Sequence, residues 1–273
     1  MNRPLRVGAV MYDPKVSVIW EIIGDFFEKR ACPIDVSYYT TYALQVTALV
    51  EGAIDIAWNS PLAWLDAQRR TGGRCRAIAM RDTDRDRLSH IVGRVEGPVG
   101  RLDDLRGRTL AVGAADSPQA TLIPLGFLRK HGIHPHRDLN VKRFDVMVGK
   151  HGDHVGGELD AFRCLERNEA EACVMLDLNW ETWTRDGTID PRAYEIKSST
   201  EQFDHCVFTA RETVGADAER RWLEALHSMQ YDNPDHRQMM DLEGLKAWMP
   251  GRTTGFGPLT AAVEAERFFD SAT

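Results

Sequence analysis

A polar turn near the middle of the chain is a candidate for anion binding. Residues 116–121 read Asp-Ser-Pro-Gln-Ala-Thr, between a predicted apolar strand and a predicted helix. An N-cap hydroxyl, a proline in the first turn and the backbone N–H groups of a helix start together form a place for an anion. Ser117 and Thr121 add hydroxyl donors, and Gln119 adds an amide. Ordinary helix capping explains Ser117 and Pro118 equally well, so both interpretations stay open.

A second polar pair, Asn59 and Ser60, separates a predicted buried strand from a helix that begins at Pro61. Ligands of open α/β sheets bind beyond the carboxyl ends of the strands, and this pair falls there. Asn59 and Ser60 are therefore candidate ligand contacts. The alternative is a turn residue followed by an N-cap.

Asp177 and Asn179 stand at the end of a later predicted strand, in the same position relative to that strand as Asn59. A carboxylate at this place can bind an amine or stabilise a closed, ligand-bound form. The alternative for Asn179 is the N-cap of the next helix.

A loop rich in glycine and histidine, residues 149–157, invites a metal hypothesis. It contains His151 and His154, and Glu158 follows it. These residues precede a helix and do not share one helical face, as the two histidines of a zinc-protease motif do. Hydrogen bonds from this loop to a ligand are therefore the preferred interpretation, with a metal site at His151, His154 and Glu158 as the alternative.

Short apolar strands alternate with amphipathic helices along the chain, which predicts an α/β fold with mixed, mostly parallel sheets and helices on both faces. The order of elements predicts a first lobe of residues 1–93 plus 204–273 and an inserted second lobe of residues 94–203, with a ligand cleft between them. The charged segment 81–87 is interpreted as a solvated turn with local ion pairs.

Composition excludes several classes of protein. The formal net charge is −7 over 273 residues, so the chain has no general affinity for nucleic acid or for an anionic membrane. No apolar run reaches the roughly 18 to 20 residues that span a bilayer, so membrane insertion is not expected. Phosphate-loop, dinucleotide-binding and nucleophile-elbow motifs do not occur, and no cofactor is expected.

The five cysteines, an odd number with no C-x-x-C spacing, favour buried reduced thiols over a disulfide framework. The first apolar stretch, residues 7–12, is interpreted as a strand, because it is too short for the core of a signal peptide. The sequence as written therefore predicts a cytoplasmic protein, or a periplasmic one if a leader has been removed.

Three segments resemble the phosphate, phosphite and phosphonate substrate-binding proteins of ABC importers. Residues 52–61 resemble the family's G-x-[VI]-D-[VI]-A-[WY]-x-x-P segment. Residues 116–124 resemble its serine- and threonine-rich turn before a helix, and residues 158–177 its next helix–strand pair. The resemblance runs from Val7 to about Phe269. It implies a two-lobed type II periplasmic-binding-protein fold with two hinge strands, 88–94 and 205–211.

The resemblance also implies a small anionic ligand, an ABC permease as partner, and a set of ligand contacts. Carried over by motif, these contacts are Tyr12, Asn59, Ser60, Ser117, Gln119, Thr121, Glu158 and Asp177. His90 and His205 would lie on the two crossing segments near the floor of the cleft. His154 and Asn179, already singled out above, complete the candidate set.

The chain departs from the family at two of these positions. The family turn is of the Ser-Thr-Ser-Gly type, whereas this chain has fewer hydroxyls there and an added carboxylate, Asp116. The family usually has a histidine where this chain has Glu158. The fewer hydroxyls and the added carboxylate of the turn disfavour a phosphonate dianion, and a histidine, His154, lies four residues before Glu158.

A solute-binding protein that closes on its ligand is the leading prediction. The alternative is a cytoplasmic enzyme on the same scaffold, with chemistry similar to that of thiamine-pyrimidine synthases or chorismate dehydratase. In that case His154 or Glu158 would be the general base, either with or without a metal. A cytoplasmic sensor is the third option, because one fold hosts many functions.

Overall fold

The computed structural model describes residues 3–151 and 157–270. The strands, in chain order, are β1 (Leu5–Val10), β2 (Ile34–Tyr39), β3 (Ile56–Asn59), β4 (Arg76–Arg81), β5 (Ser89–Arg94), β6 (Thr109–Val112), β7 (Asn140–Arg143), β8 (Ala172–Leu176), β9 (Tyr194–Ser199), β10 (Val207–Ala210) and β11 (Trp248–Pro250). The α-helices are α1 (Lys15–Glu28), α2 (Tyr42–Glu51), α3 (Pro61–Thr71), α4 (Ile123–Lys130), α5 (Glu158–Glu166), α6 (Asp177–Arg185), α7 (Ala216–His227), α8 (Pro234–Glu243) and α9 (Gly257–Glu266).

The chain divides into two compact units. The first comprises Met1–Arg85 and Asp204–Gly255, and the second comprises Asp86–Phe203 and Phe256–Thr273. The expected division placed residues 86–93 and 256–273 in the first lobe, and the structure assigns both segments to the second unit. The reason is packing, because β5 pairs with β8 and β9 and α9 packs on α4.

The first unit contains a mixed sheet in the order β11-β4-β10-β3-β1-β2. β1 pairs in parallel with β2 and β3, whereas β10 runs antiparallel to β3 and β4. β1 to β4 therefore share one direction. β10, the first strand after the chain returns to this unit, opposes them.

The second unit contains a mixed sheet in the order β7-β6-β8-β5-β9. β6 pairs in parallel with β7 and β8, and β5 runs antiparallel to β8 and β9. Among the described strands of this sheet, only β5 runs antiparallel to the others. β5 is also the first strand after the chain leaves the first unit. The predicted α/β class with mixed, mostly parallel sheets is confirmed.

The first unit buries a core rich in aromatic residues on the inner faces of α1, α7 and the sheet. Phe208 of β10 lies at its centre, with ring centroids 4.5 Å from Trp58, 4.8 Å from Trp222 and 6.1 Å from Trp20. Close-packed aromatic rings of this kind bury large apolar areas and fix the strands that precede the candidate site.

Local signals in the sequence fix several helix ends. Ser60 caps α3 by accepting a 3.1 Å hydrogen bond from the backbone N–H of Ala63, and Pro61 occupies the first helical position. α2 ends at Gly52, whose φ of +84° lies in the left-handed region that glycine adopts without strain. Both features follow the pattern expected from the sequence.

Among the described residues, no helix is both long enough and apolar enough to cross a bilayer.

Candidate functional site

The turn of Ser117 begins directly after β6 and leads through a π-helical turn, Pro118–Leu122, into α4. The Ser117 hydroxyl accepts a 3.1 Å hydrogen bond from the backbone N–H of Ala120. The Ser117 carbonyl accepts further bonds from the backbone N–H groups of Thr121 and Leu122, at 3.1 and 2.9 Å. The capping interpretation of Ser117 is therefore confirmed, and these three N–H groups already have acceptors within the turn.

The side chain of Thr121 differs from its neighbours in this turn. Thr121 is 3% exposed, and its hydroxyl has no hydrogen-bond partner within the described part of the chain. A buried hydroxyl without a partner is unfavourable by about 1 to 3 kcal/mol. Thr121 therefore offers a donor and an acceptor that a bound molecule can use.

Asp116 stands immediately before Ser117 and is also buried. Its Oδ2 accepts a 2.6 Å hydrogen bond from the Gly149 backbone N–H, whereas its Oδ1 has no partner among the described residues. Burial raises the pKa of Asp116 above its ordinary value, against the hydrogen bond from Gly149 that lowers it. This group was not among the predicted ligand contacts.

Glu158 is the first residue of α5 and is 2% exposed. Its Oε2 accepts hydrogen bonds from the Leu176 backbone N–H at 2.8 Å and from Asn179 Nδ2 at 2.6 Å. Its Oε1 accepts a 3.3 Å bond from Gln119 Nε2. Three predicted site residues, Gln119, Glu158 and Asn179, are thus brought together by direct hydrogen bonds.

Asp177 begins α6, and its Oδ2 lies 3.5 Å from an Arg87 guanidinium nitrogen. Its Oδ1 accepts a hydrogen bond from the Leu178 backbone N–H at 2.9 Å. Asp177 is therefore held in an ion pair within the second unit, and Arg87 is a partner that the sequence did not indicate.

His90 lies in β5, between Met175 of β8 and Ser199 of β9. Its Nδ1 is 2.9 Å from the Ser199 hydroxyl. Burial lowers the pKa of His90, and the carboxylates of Asp177 and Glu181 oppose that shift without cancelling it. The neutral imidazole is therefore the favoured form near neutral pH.

Asn59, the end of β3, is fully buried. Its Oδ1 accepts a 2.9 Å hydrogen bond from Gln45 Nε2, and its Nδ2 donates one of 2.9 Å to the Thr209 hydroxyl. The amide therefore ties α2, β3 and β10 together. Tyr12, another predicted contact, packs in the apolar core of the same unit with 7% exposure.

The charged segment 81–87 is not solvated at its start, and that prediction was wrong. Arg81 and Asp84 are 4% and 1% exposed. Two nitrogens of the Arg81 guanidinium donate to both oxygens of Asp84 at 2.7 and 2.8 Å, and a third contacts Glu243 Oε2 at 3.0 Å. The ion pair between Arg81 and Asp84 is local, as predicted. Glu243, from a distant part of the chain, also contacts the Arg81 guanidinium.

His205 lies against this ion pair. Its Nδ1 is 3.5 Å from Asp84 Oδ1 and 3.1 Å from Cys206 Sγ. Burial alone would raise the pKa of Asp84, but the Arg81 guanidinium outweighs burial and, with His205, holds the pKa well below its usual range.

Within the described residues, Asp84, His205 and Cys206 form the one group whose side-chain types and spacing suit a metal ion, with ligand atoms within 4.8 Å of one another. The guanidinium of Arg81 bonds to both carboxylate oxygens and places positive charge beside them. This arrangement favours a hydrogen-bonded network over a metal centre.

The metal site considered at His151, His154 and Glu158 stays a prediction. His154 lies outside the described residues. His151 is half-buried, with a φ of +54°, and the Glu158 oxygens accept the amide hydrogen bonds described above. His154 as a general base therefore stays a prediction.

The two mixed sheets and their connections have the type II periplasmic-binding-protein fold, which similar solved structures share. The chain belongs to the family described as "ABC transporter, phosphonate, periplasmic substrate-binding protein", whose model matches residues 11–256. The family supports a solute-binding protein over an enzyme.

Solved structures with the same fold share little sequence with this chain. PhnD1 of Prochlorococcus marinus, in complex with methylphosphonate, is 15% identical with a TM-score of 0.73, over 96% of this chain and 98% of that one. XAC2383 of Xanthomonas citri, bound to ATP, is 16% identical with a TM-score of 0.75 over 100% of both chains. The aliphatic sulphonate binding protein SsuA of Escherichia coli is 14% identical with a TM-score of 0.60, over 98% and 94%.

A shorter stretch matches a curated protein more strongly. Over 41 residues the chain is 51% identical to an uncharacterized protein of Haemophilus influenzae. That stretch is 15% of this chain and spans 58% of the length of that relative.

Proposed function

We propose that this protein binds a small oxyanion of the phosphonate or sulfonate type and presents it to an ABC permease. The family match over residues 11–256 supports the solute-binding role. Similar structures contain methylphosphonate, ATP or chloride, or carry the name of sulphonate binders, and each of these ligands is an anion. The simplest property that these similar structures share is a site for an anion.

The observation that carries the proposal is the buried hydroxyl of Thr121, which has no partner in the described chain. It lies in a turn that starts a helix, where the partial positive charge of the helix favours an anion. An oxyanion oxygen that accepts a hydrogen bond from Thr121 would satisfy a group that the protein leaves unsatisfied.

The remaining candidates divide into two kinds. Asn59 and Glu158 hold other parts of their units through the hydrogen bonds described above, so we assign them supporting roles. Tyr12, Ser60, Ser117, Gln119, Asp177, Asn179, His90 and His205 stay predicted contacts. The cleft between the lobes, closure on the ligand and the periplasmic location also stay predictions.

The proposal is tested by thermal unfolding of the purified protein in the presence of single small molecules. The panel is phosphate, methylphosphonate, methanesulfonate and sulfate, with glycine and glutamate as amino acid controls. A molecule that binds only the folded chain raises the unfolding midpoint, and the rise grows with the logarithm of its concentration relative to its dissociation constant. We expect at least one oxyanion to do so, and a panel without any stabilising oxyanion would contradict the proposal.

The enzyme alternative is tested on the same samples. After prolonged incubation, a solute-binding protein returns its ligand unchanged, as mass spectrometry of the small-molecule fraction will show. A new product that forms with this protein and not with boiled protein would favour the enzyme.

A further inference from the structure

The turn of Ser117 contains a second buried side chain with an unsatisfied atom, that of Asp116. Asp116 is 7% exposed, and its Oδ1 has no hydrogen-bond partner among the described residues. Its Oδ2 accepts the bond from the Gly149 backbone N–H, which fixes the orientation of the carboxyl group. An ionised carboxylate accepts hydrogen bonds and cannot donate them, so Oδ1 of Asp116 is an acceptor that awaits a donor.

The backbone of this turn keeps Asp116 and Thr121 on one short, closed piece of chain. The Gly113 backbone N–H, just before the turn, donates a 3.1 Å hydrogen bond to the carbonyl of Ala120, the residue before Thr121. The chain therefore folds back on itself between β6 and α4. The hydroxyl of Thr121 and Oδ1 of Asp116, both unsatisfied within the described chain, belong to this closed turn.

The surroundings of Asp116 favour the approach of a donor over that of a second acceptor. Burial raises the pKa of Asp116, and the carboxylate of Asp145 adds to this shift, whereas the backbone N–H groups of Gly149 and His151 oppose it. The ionised form is therefore less favourable than in an exposed aspartate, and a hydrogen bond donated to Oδ1 would offset part of that cost. A ligand oxygen without a proton would instead place an acceptor against an acceptor.

We propose that Asp116 is a ligand contact that selects oxyanions bearing a hydroxyl proton, such as singly protonated phosphonates, over sulfonates. The hydroxyl of the ligand donates to Asp116 Oδ1, and the Thr121 hydroxyl donates to a ligand oxygen that carries no proton. No covalent bond forms or breaks. This inference rests on the proposed function, because it concerns the ligand of the same site. It also reconciles a phosphonate with the carboxylate that this turn adds, because the ligand binds as a monoanion.

The test compares methylphosphonate with methanesulfonate by calorimetry at pH 7. The two molecules are similar in size and tetrahedral shape. At this pH most of the phosphonate carries one negative charge and one hydroxyl, whereas the sulfonate carries one negative charge and no hydroxyl. The main difference between them is therefore the hydroxyl proton. The wild-type protein is expected to bind methylphosphonate about tenfold more tightly or better.

The variant is Asp116→Asn, which exchanges an acceptor for a donor at nearly constant shape. The oxygen of the new amide can keep the hydrogen bond from the Gly149 backbone N–H, so its NH₂ group takes the place of Oδ1. That group donates to an oxygen without a proton, so the preference for methylphosphonate should disappear or reverse. The unfolding midpoint without ligand shows whether the variant is folded.

The matched control is Asp145→Asn. Asp145 Oδ1 also accepts a backbone hydrogen bond, from Ala115 at 2.8 Å, but its side chain is exposed. Both substitutions remove one negative charge close to this turn. The control should keep the wild-type preference, so a change confined to Asp116→Asn reports the hydrogen bond to the ligand and not the loss of a charge.

A second measurement needs no variant. Between pH 7 and pH 9 methylphosphonate loses its remaining hydroxyl proton, so its affinity for the wild-type protein should fall about tenfold relative to that of methanesulfonate. Equal affinities for the two ligands at pH 7, a ratio that does not fall at pH 9, or a preference that Asp116→Asn leaves unchanged would each overturn the inference and leave the proposed function intact. If no oxyanion binds at either pH, the proposed function fails and the inference fails with it.

Discussion

Arg81 and Asp84 form a bidentate ion pair in the interior of the first unit, with 5% and 1% of their side-chain areas exposed. Glu243 completes the pair from a helix 162 residues further along the chain, at 3.0 Å from the same guanidinium. Asp84 also accepts a hydrogen bond from the Cys206 backbone N–H at 3.1 Å. The group therefore joins β4 to the segment where the chain re-enters this unit.

Removal of the Arg81 guanidinium should destabilise the fold strongly. We expect Arg81→Met to lower the free energy of unfolding by about 3 to 5 kcal/mol, because two buried carboxylates, Asp84 and Glu243, would lose the guanidinium that both contact. Urea denaturation followed by tryptophan fluorescence measures the change. Arg192→Met, which removes an exposed pair with Asp190, should have a much smaller effect, because solvent screens that pair. Equal effects of the two substitutions would contradict this account of Arg81.

Thr121 provides a test that separates binding from folding. Thr121→Val removes a buried hydroxyl that has no partner in the described chain, so it should leave stability unchanged or raise it by about 1 kcal/mol. The same substitution should weaken oxyanion binding about tenfold or more, because a ligand loses its hydrogen bond. Thr184→Val is the matched control, since its hydroxyl in α6 is also buried and without a partner among the described residues. Loss of affinity in both variants, or in neither, would remove Thr121 from the site.

A substitution at Gly157 tests how tightly the start of α5 is packed. Its φ is +81°, and an added Cβ would lie 2.2 Å from the Phe144 carbonyl oxygen. Gly187 has nearly the same φ, +82°, but nothing lies within 4 Å of its Cβ position. Gly187→Ala should therefore cost only the backbone strain of about 1 kcal/mol, and Gly157→Ala about 1 to 3 kcal/mol more. Thermal denaturation of the two variants gives the comparison, and equal losses would contradict the close contact with Phe144.

We expect His90 to make the free energy of unfolding depend on pH. Burial lowers its pKa in the folded chain below the ordinary value of 6.5, so the unfolded chain binds more protons between those two values. The stability due to neutral His90 is therefore complete above about pH 6.5 and is lost as the pH falls below it. His90→Asn, whose amide can still reach Ser199, should lose less stability than wild type between pH 7 and pH 5. Parallel urea titrations across this range measure the difference, and superimposable pH profiles would count against it.

Features that depend on neighbouring residues were predictable from the sequence. Ser60 with Pro61, Ser117 with Pro118 and Gly52 mark helix ends in the structure as their residue types indicate. Alternating strands and helices also gave the α/β class. These features follow from backbone sterics and local hydrogen bonds.

Features that depend on distant partners were not predictable in this way. Asn59 was expected to face a ligand, yet its amide bonds to Gln45 and to Thr209, 150 residues away. The short strand β11 was also missed, because its three residues carry little pattern of their own and it is defined by pairing with β4. Thr121 was a candidate by type, but only the packing of the turn distinguishes its unsatisfied hydroxyl from the capping hydroxyl of Ser117.

The most direct test of the solute-binding account is isothermal titration of the wild-type protein with the oxyanion that stabilises it best. The account predicts saturable binding of one molecule per chain, with no product formed, and weaker binding in Thr121→Val. Absence of heat with every oxyanion of the panel, together with an unchanged unfolding midpoint in each, would contradict it.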